Sequence, residues 1–185
     1  MEDHGKTLTN IPVRNRPERV GRRRYPVHIR RIRHQTMTKT FSGEYHHSLD
    51  GKGRLIIPSK FREILGSHFW IGRGFDTCLQ IYDDDDWNAF SERLKALPSN
   101  SEKARSLVRY FMSGTMEMTI DTQGRIVLPA QLRQMAGIDR NVVFVGMGQR
   151  GELWSEERYE SYSLSHTAED ISAISEELLG SGFLI

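Results

Sequence analysis

A chain of 185 residues can bury one compact core or two small units that share one, and its single cysteine, Cys78, excludes an internal disulfide. No run of about 18 apolar residues suggests a membrane span, and no secretory leader pattern opens the chain, so a soluble cytoplasmic protein is expected. The net charge of +2 averages two unlike parts: residues 1–40 hold 11 Lys or Arg against 3 Asp or Glu, which leaves the other 145 at −6, so any case for nucleic-acid binding by the folded part rests on individual arginines rather than bulk charge.

Residues 1–36 contain "NRPERVGRRRYPVHIRRIRH", which has no helical or alternating apolar pattern able to face a core, and this predicts disorder. Three readings stand open for the segment: a basic arm that attracts phosphate nonspecifically, an organelle-type presequence, or a stretch ahead of a true start at Met37.

From about residue 41 the pattern becomes an internal repeat. "LDGKGRLIIPSKFR" at 49–62 aligns without a gap on "IDTQGRIVLPAQLR" at 120–133. Five of the fourteen positions are identical, and five more exchange one apolar side chain for another. Farther on, "IGRG" at 71–74 matches "VGMG" at 145–148, and "QIY" at 80–82 matches "ELW" at 152–154. Each copy predicts a strand, a tight turn, a second strand, a short helix and a strand pair. Gly53 and Gly124 supply the positive φ that hairpin turns demand. Leu55-Ile56-Ile57 and Ile126-Val127-Leu128 predict short strands buried on both faces. Pro58 and Pro129 then suit a first helical turn, and Gly66 and Gly137 a helix stop.

After the first copy, "DDDDWNAFSERLKALP" predicts a helix with acids at its start and Trp87, Phe90, Leu94 and Leu97 at helical spacing. "SEKARSLVRYFM" predicts a second, with Ala104, Leu107, Val108, Phe111 and Met112 in one apolar stripe. "SEERYESYS" begins the equivalent helix after the second copy. Residues 167–179 fit a weakly amphipathic helix, and "GSGFLI" a frayed or partner-docked end. The implied organisation is a basic extension at 1–36, repeat 1 at 41–91, linking helices at 92–114, repeat 2 at 115–163 and a C-terminal helix and tail at 164–185.

Catalytic chemistry finds little footing. Cys78 lies in a predicted strand region with nothing to lower its pKa, and reads as a small buried hydrophobe. His46 and His47 are adjacent on a strand, so they point to opposite faces and cannot converge on one metal. The acids Asp83 to Asp86 lack the alternating ligands and sharp-turn glycine of a calcium loop and read as helix N-terminal acids. No phosphate-cradling G-x-x-x-x-G-K motif is present. No enzyme, metal site or cofactor is expected.

Arg54 and Arg125 allow two readings. Each can pair with the acid four residues earlier, Asp50 or Asp121, and simply staple the hairpin. Alternatively, a rigid turn projects the guanidinium toward guanine edges in a major groove, with Lys52 on a phosphate.

At these residues the sequence resembles the MraZ family of bacterial regulators, built from two SpoVT/AbrB-type repeats. "GEYHHSLDGKGRLIIPSKFR" is close to that family's opening segment, the doubled D-x-x-x-R element falls on Asp50 with Arg54 and Asp121 with Arg125, and the likeness covers about residues 41–165. The resemblance implies an α+β fold, a pseudo-symmetric swapped-hairpin barrel with flanking helices, whose chains assemble into a ring. It implies that Arg54, Arg125 and Lys52 face double-stranded promoter DNA while Asp50, Gly53, Asp121 and Gly124 organise the turns. The implied function is sequence-specific transcriptional regulation, usually repression. It would act on short direct repeats in the promoter of the protein's own division and cell-wall gene cluster, at the nucleoid, with no membrane or small-molecule partner. The alternative is a ring-forming scaffold or antitoxin-like interaction module. Where the first turn has Gly51 and Lys52, the second has Thr122 and Gln123, so unequal contributions are expected, the Lys52 copy being stronger. Arg62 and Arg133 can brace the fold or touch phosphate, and bracing is favoured.

Overall fold

The computed structural model describes residues 39–182; the basic extension at 1–36 lies outside them. The elements in chain order are β1 (Glu44–Ser48), β2 (Arg54–Ile56), α1 (Ser59–Leu65), β3 (His68–Arg73), β4 (Leu79–Tyr82), α2 (Asp84–Lys95) and α3 (Glu102–Met112). The same series recurs as β5 (Met116–Thr119), β6 (Arg125–Val127), α4 (Ala130–Ala136), β7 (Asn141–Gly146), β8 (Gly151–Ser155), α5 (Glu156–Leu164) and α6 (Ala168–Gly180).

Local chemistry sets these boundaries. Pro58 and Pro129 stand at the N-caps of α1 and α4, where a missing N–H costs nothing, and Gly66 and Gly137 close them at φ 73° and 63°. Asp83 caps α2 by accepting a hydrogen bond from the Asp86 N–H, and Asp84 to Asp86 place negative charge where the helix dipole favours it. Helix α2 is continuous across residues 91 and 92. His46 and His47 do point to opposite sides of β1: His46 meets Glu44 and Glu156 at the surface, and His47 packs edge-on to Phe144.

Strand pairing interlocks the repeats. A six-stranded antiparallel sheet runs in the order β1-β7-β8-β4-β3-β5, and β2 pairs only with β6 in a separate two-stranded ribbon. Exchanging the two repeats turns the six-strand order into its own reverse, which is the signature of a pseudo-two-fold axis. The first strand of each repeat pairs with the third strand of the other, β1 with β7 and β5 with β3. At the centre Gln80 on β4 pairs with Glu152 on β8, both buried, and each has a polar partner: Tyr82 Oη donates to Gln80, and Trp154 Nε1 donates to Glu152. Burial raises the Glu152 pKa. Gly72 and Gly146 sit at matching positions of β3 and β7, and a Cβ on either would strike chain leading into the other repeat's first strand, Thr115 or Phe41–Ser42. Glycine there lets the repeats cross.

Two expectations are corrected. Among the described residues the sheet is not a closed barrel: it ends at β1 and β5, because at each turn the chain leaves it to build the β2–β6 ribbon. The short strands are not buried on both faces. Leu55 and Ile126 point inward and are buried, whereas Ile56 and Val127 point outward and are 49% and 60% exposed. A ribbon of two strands has only one face on the core, so alternation wins. The α3 stripe is only partly covered: Phe111 is buried against Phe75 and Phe90, while Leu107 and Met112 stay exposed.

The core sits under the ribbon and repeats with the sequence. Leu55 with Ile126, Ile57 with Leu128, Phe61 with Leu132 and Leu65 with Ala136 are all buried in one cluster. Phe61 meets Phe41, Phe144 and Tyr45 edge-on at ring distances of 5.0, 5.5 and 5.8 Å. Cys78 is buried as expected, and desolvation pushes its thiol up to about 12.

Candidate nucleic-acid interface

The two turns are built alike from their acids outward. Asp50 Oδ1 accepts from the backbone N–H groups of Lys52 and Arg54, both at 2.9 Å, and Asp121 Oδ1 accepts from those of Gln123 and Arg125, also at 2.9 Å. The Gly53 N–H returns to the Asp50 carbonyl and the Gly124 N–H to that of Asp121, with φ of 73° and 77° at the glycines. A side-chain oxygen that replaces backbone partners in this way rigidifies a turn. Both carboxyls titrate low. The Arg54 backbone N–H, with the guanidinium and Lys52 N–H behind it, holds Asp50 at about 2, and Asp121 is lowered first by the Arg125 side chain.

The guanidiniums share their turns' acids unequally. Arg54 Nε donates to Asp50 Oδ2 at 2.6 Å, leaving both terminal nitrogens without a partner among the described residues. Arg125 donates to Asp121 Oδ2 through both Nε and Nη2, at 2.9 and 2.8 Å. The Arg125 side chain is correspondingly less exposed, 24% against 33% for Arg54. The stapling pairs therefore form, and they leave donors free.

The ribbon brings the arginines together. Arg54 pairs with Val127 and Arg125 with Ile56, so the arginines are diagonal cross-strand neighbours, about 7–8 Å apart at this register. Period-two alternation places Arg54, Ile56, Arg125 and Val127 on the one open face. The turns also hold each other: the Ile57 N–H donates to the Gly124 carbonyl, and the Leu128 N–H to that of Gly53.

Arg62 and Arg133 reach across to the opposite repeat's turn. A Cβ at Gly124 would lie 2.6 Å from Arg62 Nη1, and the Arg62 Nε donates to the Ile57 carbonyl at 3.1 Å. Arg133 approaches Gly53 more loosely, and with Lys52 and Arg140 it borders a polar concavity of about 660 Å³ beside the first turn. Sequence reasoning missed Arg140 and the open apolar pair Ile56 and Val127. Arg140 had no repeat signal, and the apolar pair was hidden in a run that reads as core. Among the described residues no cluster of His, Cys, Asp or Glu is arranged to hold a metal, and no helix is long and apolar enough to cross a membrane.

The family model described as "MraZ protein, putative antitoxin-like" matches twice in tandem, over residues 40–110 and 111–181. The chain belongs to the MraZ family. Each matched span holds one series of four strands, and the boundary between the spans falls in the last turn of α3, so the family unit and the structural repeat coincide in order. Among curated relatives, a "Transcriptional regulator MraZ" of Lachnoclostridium phytofermentans is 50% identical over 136 residues, 74% of this chain and 96% of that relative. Proteins of the same name from Desulfitobacterium hafniense and Moorella thermoacetica are 48% and 45% identical over 139 residues, each 75% of this chain and 96% of the relative.

Proposed function

We propose that this chain is a sequence-specific DNA-binding transcriptional regulator that reads duplex DNA with the outer face of the β2–β6 ribbon. The observation that carries the reading is the placement of Arg54 and Arg125 side by side on that face, with terminal nitrogens unclaimed by their acids. A major groove about 12 Å wide admits a two-stranded ribbon, and Arg pairs bidentately with the O6 and N7 of guanine. A spacing of about 7–8 Å matches roughly two base-pair steps of 3.4 Å. Lys52, exposed at the tip of the first turn, supplies a phosphate contact that Gln123 cannot. The names of the relatives, transcriptional regulators, agree with this role.

One chain is a weak reader, since residues 41–185 are net negative and few phosphates can be neutralised. Self-assembly into a ring that engages several short direct repeats supplies the missing affinity through effective concentration. In this reading the target is the promoter of the chain's own division and cell-wall gene cluster, and the outcome is repression.

The test is salt-titrated binding of the full chain to DNA from upstream of its own gene and to a scrambled duplex. The Arg54→Ala/Arg125→Ala variant is carried alongside. Preference for the native duplex that disappears in the variant, with assembly mass and melting temperature kept, is the expected result. The turn-stapling pairs favour a second reading, a scaffold in which the arginines only brace. That reading predicts lost stability or assembly in the variant, with no change in any duplex preference.

A further inference from the structure

A cleft where the β7–β8 hairpin of the second repeat meets β4 and α2 of the first carries donors that the fold does not use. Gln80 on β4 is 3% exposed and lines this cleft, whose volume is about 150 Å³. Tyr82 Oη donates to Gln80 Oε1, and burial, which pushes the Tyr82 phenol up to about 12, keeps the proton there to be donated. That bond fixes which way the amide points: its oxygen is taken, and the N–H groups of Nε2 have no partner among the described residues. From the β7–β8 hairpin comes Arg150, whose buried Nε is likewise without a partner among them. Buried donors in folded proteins are paired as a rule, so two on one cleft mark a place for an acceptor.

The other side chains on the wall define what carries that acceptor. Phe75 and the stacked rings of Tyr82 and Phe90, 5.5 Å apart and 12° from parallel, supply flat apolar surface. Arg93 lies over Phe90 with its guanidinium carbon 5.9 Å from the ring centre. Asp86 is the one carboxylate on the wall, and its charge is offset by Arg93, so Arg150 leaves the wall net positive. An apolar cavity of about 150 Å³ takes a benzene-sized guest. Convergent donors, positive charge, flat walls and that amount of room together fit a small planar anion.

The pseudo-two-fold mate of this cleft has another character. Glu152 stands there in place of Gln80 and accepts from Trp154 Nε1, and Arg158 stands in place of Asp86 and donates Nη1 to the carbonyls of Thr77 and Met135. No buried donor on its wall is left over among the described residues, and a carboxylate at the Gln80 position repels an anion. The feature belongs to one repeat only.

We propose that the cleft between β4, α2 and the β7–β8 hairpin binds a small planar organic carboxylate, one per chain. Gln80 Nε2 and the Arg150 guanidinium hold its oxygens, Arg93 stands at the exposed mouth, and its body lies against Phe75 and Phe90. The site is separate from the β2–β6 ribbon and does not rest on the DNA reading.

Isothermal titration of the full chain with benzoate tests this. One saturable site per chain, with a Kd in the millimolar range or below, is expected for a ligand this small. Benzamide keeps the ring without the charge, and inorganic phosphate keeps the charge without the ring; each is expected to bind about tenfold more weakly or worse. Arg93→Gln and Arg150→Gln are each expected to weaken benzoate about tenfold, the loss of one charge-assisted hydrogen bond, and Gln80→Leu to do the same. Arg93 is exposed on α2, so its replacement leaves the fold intact and the test stands even where a buried substitution unfolds the chain. No saturable heat up to about 10 mM benzoate overturns the proposal, as does benzamide or phosphate binding as tightly as benzoate. Benzoate affinity unchanged in either arginine variant places the ligand elsewhere, on the basic extension for example, and overturns it too. The Arg54→Ala/Arg125→Ala variant is expected to take benzoate as wild type does, so this proposal and the DNA reading fall separately.

Discussion

In the first turn Arg54 gives one nitrogen to Asp50 and Lys52 stands beside it; in the second, Arg125 gives two nitrogens to Asp121 and the neighbour is Gln123. The frames under the two turns are nevertheless the same, from the aspartate caps to the prolines of α1 and α4. The helical pairs diverge further. Trp87 of α2 stacks on Trp70, and Phe90 joins it to Phe111 of α3, whereas α6 buries nothing. Duplication kept what each repeat needs to close on the other. Surfaces that do not cross the pseudo-two-fold axis were free to change.

The harshest challenge to that comparison is in the shared core. Phe61→Ala is expected to cost about 3–5 kcal/mol and Leu132→Ala about 2–5 kcal/mol. Four strand pairings join the repeats, so each variant is expected to melt in one lowered transition. Two separated transitions in a denaturant titration, one per repeat, would show that the repeats fold independently.

The next effect sharpens the difference between the turns. Arg54→Ala is expected to lose more preference for the specific duplex than Arg125→Ala, within the roughly 1–3 kcal/mol that a bidentate guanine contact contributes. Equal losses in binding constants at one salt concentration would remove the asymmetry. Below that in size lies Lys52. Lys52→Gln is expected to reduce the slope of log affinity against log salt by about 1, and Gln123→Lys to increase it by a similar amount. A slope unmoved by Lys52→Gln would take that lysine off the phosphate backbone.

The smallest effect is acid sensitivity of the first turn. Asp50 has a native pKa of about 2 against an ordinary 3.8. Its contribution is therefore complete above 3.8 and disappears as pH falls through about 2. Melting temperature measured across that window is expected to fall more steeply in wild type than in Asp50→Asn. Parallel curves would mean that the carboxylate does not hold the turn.

Much of this was legible in one dimension because the causes are local. An aspartate two and four residues before the N–H groups it accepts from, a glycine at positive φ and a proline at a helix start act within a few residues, so the repeat alignment exposed them twice. Local pattern could not say how many faces of Leu55-Ile56-Ile57 are covered, since a three-residue strand carries too little periodicity to separate one buried face from two. It could not say that α3 covers less than its stripe offers, because coverage depends on what packs opposite. Arg140 has no motif and matters only through its place beside the first turn.

The sequence by itself determined the turns, the helix limits and the repeat, through side-chain and backbone bonds between near neighbours. Only the tertiary structure decided that β2 pairs with β6, which sets two arginines 71 residues apart on a single open face. That pairing is non-local: it follows from burying Leu55, Ile57, Ile126 and Leu128 together in one core. The arginines meet because the hydrophobic residues alternating with them have to.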